Sequence, residues 1–187
     1  MITPNQLTLF RVVIAFVSPV LLLLNRSLSC DLWVVFLFTI ACITDWWDGY
    51  LARKQSMITG TGKIMDPIAD KILILGLMTV FVKLGLYSFG WIFFILIREV
   101  SVTAIRLIRF RKGKAIPAEW AGKMKLGFQI ASVYLTFFLL IFYDAHNGQD
   151  LSDSVMYFNL FHYLGIVLAN IFTVLSGFLF FKRLNQQ

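Results

Sequence analysis

The chain has 187 residues, of which 59% are apolar, and a mean hydropathy of +0.79, a balance that excludes an ordinary water-soluble domain. Its apolar runs reach membrane length, so one membrane domain spanning residues 1–187 is the simplest organisation. The formal charge of +7 points to an anionic partner or to basic loops held on the cytoplasmic side, and no feature calls for nucleic acid. Cys30 and Cys42, in and beside one span, fit neither a zinc site nor a secreted disulfide framework and read as buried, inert thiols.

The first span is expected from about Leu7 to Leu24, and it reads as retained, not as a cleaved signal. Asn5, Thr8 and Arg11 stand at its opening, where Arg11 either snorkels to the headgroups or serves as a ligand. The second span begins near Leu32, and thirteen uncharged residues precede Asp45. As a helix, Leu32 to Arg53 measures about 33 Å. Trp46 and Trp47 read as interfacial anchors.

From Asp45 to Asp70 the chain places four of its ten acidic residues between two apolar runs. Asp45 and Asp48 are spaced i, i+3, and Asp66 and Asp70 i, i+4, so each pair shares a helix face. If the segment folds back as a hairpin, all four converge at the end of a helix pair. Two carboxylates about 5 Å apart repel by roughly 3 kcal/mol at an effective dielectric of about 20. Either some acids stay protonated, or they are solvated or paired with Arg53, Lys54, Lys63 and Lys71, or cations neutralise them. An all-oxygen donor set takes hard ions such as Mg²⁺, Mn²⁺ or Ca²⁺, and four carboxylates have the capacity for two. Gly49 and Ala52 keep the helix face low enough for close approach of a helix or nucleotide. Arg53 offers a fork for a diphosphate, and Gly60 and Gly62 supply a turn.

A third span is expected over about 63–84, with Pro67 in its first turn and Asp66 as either N-cap or metal ligand. The fourth, about 90–110, carries Arg98 and Glu99 in mid-span, where charge is expensive and pairing with each other or with a neighbouring helix is expected. Arg106 lies deeper than the basic cluster at the helix exit and is the better anion ligand. The fifth span starts with W-A-G-K-M-K and ends near Tyr143; Lys123 and Lys125 either grip a phosphate together with Arg106 or snorkel at the interface. The sixth runs from about Tyr157 to Phe181, and its His162 reads as a packed residue. Basic residues fall in the 2–3 and 4–5 connections and after span six, which puts these connections and both termini in the cytoplasm.

The residues at Asp45, Asp48, Gly49, Ala52, Arg53, Gly62, Asp66 and Asp70 form the pattern D-x2-D-G-x2-A-R-x8-G-x3-D-x3-D. This resembles the signature of the CDP-alcohol phosphotransferases, integral membrane enzymes of phospholipid synthesis. The resemblance implies an all-α membrane protein of six transmembrane helices, with a polar cavity open to the cytoplasm and a place in a bacterial-type inner membrane. It implies divalent metal, Mg²⁺ or Mn²⁺ and two per site, held by Asp45, Asp48, Asp66 and Asp70, with Asp70 also the general base. It further implies nucleotide contacts from Asn5, Thr8, Asp48, Gly49, Ala52, Arg53, Gly62 and Asp66, the first two through an N-x-L-T-x2-R opening, and a homodimer.

The stretches T-D-W-W-D-G-Y-L-A-R, M-D-P-I-A-D-K, I-R-E and G-K-M-K further resemble the branch that joins CDP-diacylglycerol to glycerol 3-phosphate. That resemblance covers essentially the whole chain, although Leu126 stands where the branch often has threonine. It implies an acceptor phosphate held by Arg106, Lys123 and Lys125. Acceptors such as inositol phosphate, serine or phosphatidylglycerol are the rivals within the family. A small ion transporter is the rival outside it, and it leaves the Gly, Ala and Arg spacing unexplained.

Overall fold

A computed structural model describes the backbone of residues 4–55, 62–111, 120–146 and 152–184, and the side chains of 9–47, 71–109, 120–146 and 158–184. Among the described residues the chain is entirely helical: α1 (Pro4–Leu24), α2 (Leu28–Gln55), α3 (Gly62–Lys83), α4 (Phe89–Arg111), α5 (Trp120–Ala145) and α6 (Ser152–Leu184). Three described stretches are long and apolar enough to cross a bilayer, Leu28–Trp47, Trp120–Ala145 and Phe158–Leu184; Leu9–Leu24 is a shorter apolar helix. These lengths and compositions are those expected of a helical membrane protein.

Local chemistry sets the helix ends. Pro4 opens α1, where its missing N–H costs nothing. Ser27 caps α2, its Oγ accepting the Cys30 N–H at 3.3 Å. At the end of α3 the Leu86 N–H reaches the Phe81 carbonyl at 2.9 Å, and the Gly85 N–H reaches that of Val82 at 3.0 Å. Gly85 takes φ 76°, the left-handed conformation that this double closure demands and that glycine adopts without a Cβ penalty. The helix α3 begins four residues before Asp66, so Asp66 lies in the helix body and is not its N-cap, and Pro67 follows it beyond the first turn.

The chain forms two compact units, residues 1–80 and 81–187. In the first, α1 packs along α2 around Ile14, Ala15, Leu22, Val34, Phe38 and Ala41, all buried. Gly76 of α3 lets that helix run against Pro19 of α1: a Cβ at Gly76 would stand 3.0 Å from Pro19 Cγ. Cys30 and Cys42 are half-buried, less enclosed than expected, and no disulfide joins them.

In the second unit α6 packs against α5 and α4. Gly165 sits where a Cβ would approach Leu135 Cδ1 at 2.8 Å and the Ser132 backbone at 3.6 Å, so α5 and α6 come together at small residues, as helices in lipid do. Phe128 stacks on Phe172 at 4.4 Å between centroids, and Phe81 meets Phe137 edge-on at 5.2 Å.

The distribution of side chains on α6 is inside-out relative to a soluble helix. Its buried stripe includes His162, Asn170, Thr173 and Ser176, whereas Leu160, Phe161, Leu164, Ile171, Val174 and Phe178 face outward. An apolar outer surface of that extent is expected of a lipid-facing helix. Two of the inner polar groups bond within the helix, Asn170 Nδ2 donating to the Ile166 carbonyl at 3.0 Å and Thr173 Oγ1 to that of Ala169 at 2.6 Å. His162 is 2% exposed and packs against Tyr87 at 5.4 Å between centroids, as a packed residue should.

Candidate active site

Charged side chains are in contact in each of the two units. In the first, Arg11 of α1 places Nη1 3.0 Å from Oδ1 of Asp45 on α2. Arg11 is 1% exposed while the Asp45 side chain is 41% exposed. The snorkelling alternative is therefore overturned. A carboxylate on the adjacent packed helix holds the guanidinium inward, where a charge-assisted bond outweighs access to the headgroups.

Asp45 and Asp48 both belong to α2 and Asp66 and Asp70 to α3, in keeping with two helical pairs spaced i, i+3 and i, i+4. Asp45 alone of the four lies among residues with described side chains, so the meeting of the four carboxylates falls outside them. Asn5, Thr8, Asp48, Gly49, Ala52, Arg53, Gly62, Asp66 and Asp70 fall outside them as well, though each has helical backbone. No group of three or more His, Cys, Asp or Glu side chains converges among the described residues. Asp45 itself suits a hard cation: an oxygen donor, partly open, on a helix that also carries Asp48. Trp46 and Trp47 beside it are 65% and 53% exposed, consistent with anchoring in the interface.

In the second unit the charges midway along α4 meet α5 and α6. Arg98 Nη1 stands 3.2 Å from Glu99 Oε1, and Arg98 Nη2 donates to Ser176 Oγ of α6. Lys125 Nζ of α5 donates to the same Glu99 oxygen. Glu99 is 3% and Lys125 6% exposed, so the carboxylate joins two cations inside the unit. Ser176 was not foreseen as a functional position. Its neighbour Gly177 explains how α6 accommodates the arginine, since a Cβ there would lie 3.3 Å from Arg98 Cγ.

The three basic residues expected to share an anion have different surroundings. Arg106 is half-buried with its guanidinium carbon 5.4 Å from the centre of the Phe180 ring. Lys123 is exposed and Lys125 is buried. Two residues apart on a helix, side chains diverge by about 200°, which accounts for the contrast.

Neutral polar contacts continue along the inner face of α5. Gln129 Nε2 donates to Thr173 Oγ1 at 3.3 Å. Farther along, the Tyr87 hydroxyl lies 3.2 Å from the Ser132 carbonyl and 2.9 Å from Thr136 Oγ1. Burial pushes the Tyr87 phenol above its ordinary pKa, against the smaller opposing effect of Ser132 and Thr136, so it stays a neutral hydrogen-bonding group.

The sequence model of the family described as CDP-alcohol phosphatidyltransferase matches residues 1–169. Among curated relatives, the CDP-diacylglycerol–glycerol-3-phosphate 3-phosphatidyltransferase of Bacillus subtilis is 32% identical over 96% of this chain and 93% of its own length. Proteins of the same name from Mycoplasma genitalium and Rickettsia prowazekii are 28% and 30% identical, covering 98% and 96% of this chain and 84% and 93% of theirs.

Proposed function

The chain belongs to the CDP-alcohol phosphatidyltransferase family, and from that premise we propose that it is a phosphatidylglycerophosphate synthase. It transfers the phosphatidyl group of CDP-diacylglycerol to glycerol 3-phosphate, releasing CMP. One observation carries this reading: all eight fixed positions of the motif from Asp45 to Asp70 stand within a family match that runs on across the basic residues of α4 and α5. Because the match crosses both packed units, we take residues 1–187 as one functional domain.

Enzymes of this family generally depend on a divalent metal, which would be held here by Asp45, Asp48, Asp66 and Asp70. When bound, Mg²⁺ or Mn²⁺, two per site in this reading, supplies positive charge against the pyrophosphate. Asn5, Thr8, Gly49, Ala52, Arg53 and Gly62, with Asp48 and Asp66, bind and orient the cytidine diphosphate moiety. Small residues at 49 and 52 admit it close to the helix backbone. Asp70 accepts the proton from the attacking hydroxyl of glycerol 3-phosphate. That oxygen bonds to the lipid-side phosphorus, the bond to CMP breaks, and CMP leaves.

Arg106, Lys123 and Lys125 hold the acceptor phosphate. The buried setting of Lys125 and the half-buried setting of Arg106 favour an anion drawn into the protein over simple surface attraction. In this reading the protein crosses a bacterial-type inner membrane six times with its site facing the cytoplasm, which its basic connections and six helices support, and it pairs as a homodimer, which the family resemblance alone implies. The deciding experiment is CMP release by the purified protein from CDP-diacylglycerol, with divalent metal and a panel of alcohols. Glycerol 3-phosphate should be the preferred acceptor; preference for serine or inositol phosphate would reassign the branch, and no CMP release with any alcohol would refute the enzyme.

A further inference from the structure

We propose that Glu99 is a positioning residue for acceptor recognition, acting through Lys125. The inference rests on the acceptor-phosphate role given to Lys125 above. Its geometry is a chain of contacts through three helices: Ser176 of α6 receives Arg98 Nη2, Arg98 Nη1 lies 3.2 Å from Glu99 Oε1, and the same oxygen receives Lys125 Nζ. Each link fixes the next. A lysine side chain has four rotatable bonds and a point charge with no directional preference of its own, so an ammonium is placed by whatever anion it meets. Here that anion is a buried carboxylate, itself held in place by an arginine fastened to another helix.

Packing alone does not call for charges at this point. Elsewhere the same unit is joined by neutral groups, Gln129 to Thr173 between α5 and α6 and Tyr87 of the α3–α4 connection to Thr136 of α5. Three ionisable groups at one place inside an apolar bundle are costly, and such placement marks function. Lys125 also lies in the second turn of α5, two residues from exposed Lys123, near the end by which a water-soluble anion would approach. Arranged this way, one carboxylate between two cations leaves the three groups with a net positive charge, so the anchor does not cancel the attraction for an arriving phosphate.

The test is steady-state CMP release by the purified full-length protein, with each substrate varied in turn, for Glu99→Gln, Lys125→Met and the double variant. Glu99→Gln should raise the KM for glycerol 3-phosphate about tenfold, with kcat and the KM for CDP-diacylglycerol within about twofold. Lys125→Met should do the same, and the double variant should be no worse than Lys125→Met, because Glu99 then has nothing left to position. Glu99→Asp, which keeps the charge on a shorter stem, should recover part of the loss. Additive losses in the double variant would overturn the proposal, as would an effect of Glu99→Gln that falls equally on both substrates.

If Glu99→Gln does not fold, Glu99→Asp decides alone: a KM change confined to glycerol 3-phosphate supports the proposal, and no change or an equal change for both substrates overturns it. If Lys125→Met leaves the acceptor KM unaltered, the acceptor-site reading itself falls and takes this proposal with it. If Lys125→Met behaves as expected and Glu99→Gln is silent, only the role of Glu99 falls.

Discussion

Arg11 and Asp45 are joined across α1 and α2 at 3.0 Å, the arginine enclosed by protein and the aspartate still partly open. The pair ties the first helix to the start of the acidic motif. It also draws one carboxylate oxygen towards the arginine, which sets the direction of a side chain that the proposed metal site would use. Arg11→Met should therefore lower both stability and activity. Loss of one member of a half-buried pair costs roughly 1–3 kcal/mol, between the surface and buried limits. Thermal unfolding in detergent measures that, and Arg11→Lys should be the milder change because it keeps the charge and loses only the fork. Equal melting temperatures for wild type and Arg11→Met would show that the contact contributes nothing.

Asp70→Asn removes a proton acceptor while keeping shape. The variant should fold and bind CDP-diacylglycerol, yet release CMP at least about a hundredfold more slowly, the usual scale for a lost general base. Turnover near that of the wild type would refute the assignment.

Removing divalent cations with a chelator should abolish CMP release, and Mg²⁺ or Mn²⁺ should restore it. Asp45→Asn should raise the metal concentration needed for half-maximal rate. Full activity after exhaustive chelation would contradict the four-carboxylate reading.

Lys123→Ala should weaken use of glycerol 3-phosphate more than binding of CDP-diacylglycerol. Its effect should be smaller than that of Lys125→Met, since an exposed charge acts through high-dielectric solvent. An acceptor KM unchanged from wild type would remove Lys123 from the site.

Gly165→Val places branched carbon against Leu135 and the Ser132 backbone, where even a Cβ would meet Leu135 Cδ1 at 2.8 Å. It should destabilise the α5–α6 pair by about 1–3 kcal/mol, the range for overpacking. The melting temperature should fall with no selective change in either KM.

Much of the fold is legible in apolar run length, because a bilayer fixes how long such a run must be. The expected helices at 7–24, 63–84 and 90–110 correspond to α1, α3 and α4 within a few residues at each end. Of the two readings of Asp66, the N-cap alternative falls, because α3 already begins at Gly62, four residues earlier. Motif spacing places Asp45 and Asp48 on one helix and Asp66 and Asp70 on the next, and that much follows from the sequence. The inward turn of Arg11 and the link from Arg98 to Ser176 do not, since each depends on a partner from a distant part of the chain. A serine inside an apolar helix carries no mark distinguishing an anchor for arginine from one that merely bonds its own backbone.

The arrangement of α6, with oily side chains outward and hydroxyl, amide and imidazole groups inward, reverses the usual rule for tolerating change. Exchanging Phe178 or Val174 for another lipid-soluble residue should pass almost unnoticed, whereas a modest enlargement at Ser176 or Thr173 would wedge apart three helices. Engineering this molecule for easier handling therefore begins at its greasy exterior, because its interior is the part that has no room to negotiate.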